Sequence, residues 1–169
     1  FAIIVVKQLF GGIGQNFMNP ALAARCFLLI AFTGPMTKFV TDTYSGATPL
    51  AVLKPGAEPA QATSLLTLFI GKHAGVIGET SVICLLIGAA YLLIKKIISW
   101  RIPVTYIATF AILIFLFAPG HQFEAEYLLK ELCAGGLVLG AFFMATDYVT
   151  SPITPMGKIV FGVILGILT

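Results

Sequence analysis

Apolar residues in this chain run in long blocks, broken by short clusters of glycine, proline and charge rather than alternating at strand spacing. Blocks that are hydrophobic all round predict helices surrounded by other helices or by lipid. Residues 1–10 form the tail of one such block, interrupted by Lys7 and Gln8. Gly11-Gly12-Ile13-Gly14-Gln15-Asn16 is too rich in glycine for a helix interior. Asn19-Pro20 then predicts a helix start, since Asn caps well and Pro suits the first helical position. That helix is expected over about 20–33, stopping at Gly34-Pro35. Residues 36–63 are polar and turn-rich, and 64–71 are apolar but too short to span a bilayer. The latter piece reads as a half-helix or re-entrant segment, tolerated at membrane depth only under cover of protein or water. Further spans are expected at about 79–99, 102–118, 132–145 and 158–169, with 119–131 an amphipathic, acidic stretch between two of them.

Composition turns these helices into membrane helices. The chain is 59% hydrophobic and only 10% charged, with a mean hydropathy of +1.01; soluble domains carry roughly 25% charged residues. The expected class is an all-α polytopic membrane protein formed as a single domain over 1–169. Because it begins at Phe1 and ends inside an apolar run, a piece of a longer polypeptide is expected. Lys95, Lys96 and Arg101 flank one connection beside Trp100, which predicts a cytoplasmic face there. Counting spans outward puts Lys158 on the same side and 36–63 on the outer side, although Lys38, Lys54 and Lys72 also fall outside. Gly11-Gly12-Ile13-Gly14-Gln15-Asn16 is similar to Gly75-Val76-Ile77-Gly78-Glu79-Thr80. Each follows an apolar piece and precedes a helix, as in inverted-repeat bundles whose broken helices meet at a ligand; G-x-I-G is also a common breaker in apolar sequence. A net charge of +3 with no basic stripe is too small to argue for nucleic acid, and none is expected as a partner. Cys26, Cys84 and Cys133 are scattered singly, and His73 and His121 are isolated, so neither a disulfide framework nor a metal site is expected.

Few residues are left to carry chemistry. Within Asp42-Thr43-Tyr44-Ser45-Gly46-Ala47-Thr48-Pro49-Leu50, small neighbours leave the Thr48 hydroxyl uncrowded and Pro49 biases it to extended backbone. An ordinary surface turn accounts for the same residues. Arg25 stands inside an apolar helix, where a mid-membrane arginine costs about 2.5–3.5 kcal/mol. It either anchors an anionic or electron-rich ligand near Asn16 and Asn19 or snorkels to the interface. Asp147 follows a helix end beside Thr150 and Ser151, as an ion-path carboxylate or an interfacial cap. Glu79, at a helix start, is favoured there by the helix dipole alone. No phosphate loop, nucleophile elbow or dinucleotide fingerprint is present.

Four of these stretches, in order, resemble one family of membrane subunits. Asp42 to Thr48 matches the flavinylation pattern D-x-x-S-G-A-T. The run from Gly11 to Leu22, Gly78-Glu79-Thr80-Ser81 and Met144-Ala145-Thr146-Asp147 resemble further signatures of that family. It comprises the RnfD subunits of Rnf complexes and the NqrB subunits of sodium-translocating NADH:quinone oxidoreductases, and Pro49 favours the Rnf branch. The resemblance implies FMN joined to Thr48 by a phosphoester, with Asp42, Ser45, Gly46 and Ala47 as the surrounding motif. A flavin transferase using FAD would install it on the outer face of a bacterial or archaeal cytoplasmic membrane. It also implies an inverted-repeat, urea-transporter-like bundle, and electron transfer from ferredoxin to NAD⁺ coupled to Na⁺ or H⁺ transport. Partners would be the other members of the Rnf complex, including the FMN-carrying RnfG protein and the iron–sulfur membrane subunits. Asn16, Asn19 and Arg25 are then candidates for a second, non-covalent flavin such as riboflavin, and Asp147 for the ion path. A small-solute transporter or channel of the same architecture is the alternative class, and a structural scaffold a third.

Overall fold

Glycines and prolines divide the chain into short helices, and capping side chains set where each begins. The computed structural model describes residues 1–12, 14–37, 39–40, 45–46, 65–71, 78, 80–118 and 124–169. The chain opens with a π-helical turn, Ala2–Gln8, in which Leu9 N–H bonds to the Ile4 carbonyl at 3.1 Å. Then come α1 (Pro20–Ala31) and α2 (Thr33–Thr37). Two-residue strands β1 (Phe39–Val40) and β2 (Ser45–Gly46) pair antiparallel, Phe39 opposite Gly46 and Val40 opposite Ser45. Next are α3 (Leu65–Ile70), α4 (Val82–Ile94), α5 (Arg101–Phe117) and α6 (Ala125–Ala134). The helix α7 (Leu137–Leu139) runs into a π-turn, Gly140–Met144, and α8 (Pro155–Leu168) closes the chain. Apart from the β1–β2 ladder, the described secondary structure is helical, as expected.

The broken helix α6–α7 sits at the centre. Its two arms are bent by 68°, and Gly135 between them is fully extended (φ −134°, ψ −172°). One side packs Cys133, Ala134 and Val138 on Leu68 of α3 and Val82 of α4. The other packs Leu137 and Ala141 on Tyr106 and Phe110 of α5. Outside this, α5 and α8 make the closest helix pair. A Cβ on Gly162 would stand 3.0 Å from the Ile102 carbonyl oxygen, and one on Gly166 2.9 Å from that of Tyr106. Such contact is the small-residue packing of helices that lack a hydrophobic drive to associate. Residue numbers rise together along the seam, so the two helices are parallel. Facing them, Thr105 and Thr109 turn their hydroxyls back to the Arg101 and Thr105 carbonyls at 2.7 and 2.8 Å. The seam thus buries no unpaired hydroxyl.

Several boundaries differ from the sequence expectation, each for a local reason. The helix expected over 20–33 ends at Ala31, and Gly34-Pro35 lies inside α2 instead of stopping it. Pro is tolerated there because first-turn N–H groups have no helical partner. The helix expected over 79–99 runs only from Val82 to Ile94. Its end is a Schellman closure: Ile97 N–H bonds to the Leu92 carbonyl at 2.9 Å and Lys96 N–H to that of Leu93 at 3.0 Å. Lys96 takes the left-handed position (φ 55°) usually held by glycine, so the sequence carries no sign of it. The helix expected over 102–118 is shifted by one residue, to Arg101–Phe117.

The largest correction concerns 132–145. Helix α6 already begins at Ala125, and the break falls at Gly135–Gly136 rather than before Leu132. The acidic stretch is helical because its polar groups pair one turn apart: Glu126 with Lys130 at 2.7 Å, and Tyr127 O–H to Glu131 Oε1 at 3.0 Å. Finally, α8 starts at Pro155, three residues before Lys158, because Thr154 caps it, accepting from Gly157 N–H at 3.1 Å. Among the described residues no single helix is long and apolar enough to cross a membrane. The bent pair Ala125–Ala134 with Leu137–Met144 reaches that length and composition together.

Candidate functional site

The motif around Thr48 is reached through the β1–β2 ladder. Backbone pairing with Phe39–Val40 holds Ser45 and Gly46, the middle of the D-x-x-S-G-A-T pattern. Thr48, Asp42 and Ala47 lie outside the described residues. So do Glu79, His73 and His121.

The second candidate group is built at the start of α1. Gly11, Gly12 and Gly14 have φ of 112°, 90° and 80°, a run only glycine adopts cheaply, and it turns the chain from the π-helical turn towards α1. Phe10 and Phe17 close this loop, their ring centroids 4.6 Å apart. Asn16 is buried and donates through Nδ2 to the Met18 carbonyl at 2.9 Å. Asn19 Oδ1 accepts from Ala21 N–H at 3.0 Å and Leu22 N–H at 3.3 Å, the cap expected of Asn-Pro. Both side chains therefore spend hydrogen bonds on holding the turn and the helix start. Arg25 is half-buried on α1, five residues beyond Pro20 and so roughly 7.5 Å along the axis. Gly78, which corresponds to Gly14 in the suspected repeat, shares its left-handed backbone (φ 93°). Each of these glycines lies between a short helical piece with one buried residue, Val6 or Leu68, and a longer helix.

Asp147 follows the π-turn. Residue Thr146 is buried and donates to the Phe142 carbonyl at 2.8 Å. Asp147 Oδ2 accepts from Thr150 Oγ1 at 3.0 Å, and its carbonyl accepts from Ser151 N–H at 2.9 Å. Asp147 thus organises the turn ahead of α8, whereas Thr154 caps the helix itself. The Thr-Pro pair at 154–155 is the same cap device as Asn19-Pro20, and this signal would have placed the helix start at Pro155 instead of Lys158. Tyr148 O–H reaches the Ile97 carbonyl, tying this turn to the α4–α5 connection. Among the described residues, no group of three or more His, Cys, Asp or Glu could hold a metal ion.

A model of the NQR2, RnfD, RnfE family matches residues 1–169. The chain is 49% identical over 175 residues to the RnfD-type subunit of the Na⁺-translocating ferredoxin:NAD⁺ oxidoreductase complex of Acetobacterium woodii, covering 100% of the chain and 52% of that protein. It is 40% identical over 181 residues to the corresponding subunit of the proton-translocating ferredoxin:NAD⁺ oxidoreductase complex of Clostridium ljungdahlii, covering 99% of the chain and 55% of the relative. To the NqrB-type subunit of the Na⁺-translocating NADH-quinone reductase of Chromohalobacter salexigens it is 38% identical over 179 residues, covering 100% and 44%. The chain spans about half the length of the curated relatives it matches. With its glycine loop, capped α1 and Met144–Asp147 turn in the order the motifs foretold, the chain belongs to the NQR2, RnfD, RnfE family.

Proposed function

We propose that the chain is part of a membrane subunit of an Rnf-type ion-translocating oxidoreductase complex, with FMN carried covalently on Thr48. The observation that carries this reading is the D-x-x-S-G-A-T motif in a chain whose whole length matches the family. The higher identity to the two ferredoxin:NAD⁺ oxidoreductase subunits, 49% and 40% against 38%, favours Rnf over the quinone reductases. Those two relatives are named for different ions, Na⁺ and H⁺, and the coupling ion proposed for this chain is one of these two. A membrane setting accounts for the apolar composition and for the large side chains left on the helix surfaces, such as Ile30, Ile94 and Phe117, each more than 70% exposed. Within a bilayer the broken helix α6–α7 is tolerated because α3, α4 and α5 cover it. The paired glycine loops at Gly14 and Gly78 support an inverted-repeat, urea-transporter-like bundle.

The residues of the motif suit the attachment. Ladder pairing with Phe39–Val40 holds the backbone of Ser45 and Gly46, and the small residues Gly46 and Ala47 would give an incoming transferase room at the Thr48 hydroxyl. On modification the Thr48 oxygen forms a bond to the flavin-side phosphorus of FAD as the pyrophosphate bond breaks, releasing AMP and a proton. The FMN, once bound, supplies a group that accepts and returns one or two electrons. The chain's part is to tether it beside the membrane helices and to present it to its neighbours in the complex, the RnfG protein and the iron–sulfur membrane subunits among them. Asn16, Asn19 and Arg25 form the candidate contact for a second, non-covalent flavin, with the Arg25 guanidinium facing an electron-rich group; Asp147 is the candidate ion-path carboxylate. In the full-length protein, Arg25→Leu should lower extractable riboflavin while leaving covalent FMN unchanged. Equal riboflavin in that variant would remove Arg25 from the site. The primary reading is tested by denaturing gel fluorescence and peptide mass spectrometry of protein made in a host with the transferase. A fluorescent band with FMN mass on Thr48 supports it, and a dark band overturns it.

A further inference from the structure

The parallel helices α5 and α8 both begin at one end of the molecule. Gly162 lies against Ile102 and Thr105, and Gly166 against Tyr106 and Thr109, so Arg101 and Lys158 belong to the same end. The bond from Tyr148 O–H to the Ile97 carbonyl brings the 147–151 turn onto the α4–α5 connection at that end. Four cations from distant parts of the chain are thereby assembled: Lys95, Lys96, Arg101 and Lys158. Lys95 and Lys96 are exposed; Arg101 and Lys158 are half-buried. Asp147 is the one carboxylate in the segments 95–101 and 144–158, and its Oδ2 is engaged by Thr150. Large side chains stand out among the charges: Trp100, Tyr148, Ile153 and Met156 are all at least 60% exposed. The Arg101 guanidinium lies 5.9 Å from the Trp100 ring centroid, which holds one cation beside an aromatic face.

Excess positive charge ringed by exposed aromatic and aliphatic side chains complements one chemistry well. A phosphodiester headgroup meets the cations, and its glycerol and upper acyl chain meet the apolar rim. We propose that this end of the chain binds the headgroup of an anionic phospholipid at the cytoplasmic surface. A free anion has no use for Ile153, Met156 and Trp100, which is why the lipid is the occupant. The proposal rests on the membrane reading of the chain and adds a specific lipid class to it.

The test is native mass spectrometry of the full-length protein in detergent, titrated with phosphatidylglycerol and with phosphatidylcholine. Phosphatidylglycerol should bind in preference, with affinity falling about fivefold for each cation removed in the series Lys95→Gln, Lys96→Gln, Arg101→Gln, Lys158→Gln. Lys95→Arg with Lys96→Arg and Lys158→Arg should keep the preference at an unchanged unfolding midpoint, separating charge from folding. Equal binding of the two lipids, or a preference that survives the fourfold Gln variant, overturns the proposal. Displacement of the lipid by inorganic phosphate at constant ionic strength overturns it in favour of a free-anion site. Loss of an acidic partner protein on Gln substitution, without loss of lipid, overturns it in favour of a protein contact. If the protein needs no detergent to stay in solution, the membrane reading itself falls; if it needs detergent but shows no lipid preference, only this proposal falls.

Discussion

Single side chains do different work at the helix starts and in the Thr48 motif. Asn19 stabilises the helix start through two backbone N–H groups. Asn19→Ala should therefore cost about 1 kcal/mol, read as a lowered unfolding midpoint, and Asn19→Asp should recover most of it. The same holds for Thr154 and α8, where Thr154→Ala should cost a similar amount and Thr154→Ser little. An unchanged midpoint in both alanine variants would mean that these caps do not limit stability. Thr48 is different in kind, since its hydroxyl is proposed to be consumed by a phosphoester. Thr48→Val should abolish covalent flavin without reducing the amount of folded protein, while Thr48→Ser, which keeps an oxygen, should retain some.

Elements are held by how closely they approach. The α5–α8 seam exists because Gly162 and Gly166 lack side chains at points where the Ile102 and Tyr106 carbonyls come within 3.0 and 2.9 Å of a Cβ position. Gly162→Val should push the helices apart and destabilise by about 1–3 kcal/mol, the range for overpacked cores. Gly140→Ala, with nothing within 4 Å of its Cβ position, should be close to neutral. A neutral Gly162→Val would contradict the seam. Element existence was legible from apolar blocks and breakers, and Asn-Pro marked the start of α1 to the residue. Two features were not. Lys96 ends α4 in a conformation that sequence associates with glycine. The polar stretch from Glu124 to Glu131 hid a helix because its charges pair one turn apart instead of marking a loop. The Gly135-Gly136 pair is visible in the sequence, but two glycines in an apolar block suit close helix packing as well as a bend, and the surrounding contacts make it a bend.

At the scale of the whole molecule, the central bend joins two packed halves, α3–α4 on one side and α5–α8 on the other. Parallel α5 and α8 gather the cations at one end. With the native cysteines Cys26, Cys84 and Cys133 replaced, Lys96→Cys and Lys158→Cys should react with a membrane-impermeant maleimide from the same side of oriented vesicles. Reaction from opposite sides would contradict the parallel arrangement. The family was legible because its motifs are local and ordered. The second-flavin group was not settled by sequence, because Asn16 and Asn19 serve the backbone equally well in the absence of a ligand. Legibility therefore ended where a residue's role depends on what it touches beyond its own turn.

The central claim is that this chain carries its own redox group on Thr48. Mass spectrometry of the proteolytic peptide containing Thr48, from full-length protein matured beside a flavin transferase, tests it most directly. The expected result is an added FMN phosphoester on Thr48 in the native sequence and none in Thr48→Val. An unmodified native peptide, or flavin that persists in Thr48→Val, would contradict it.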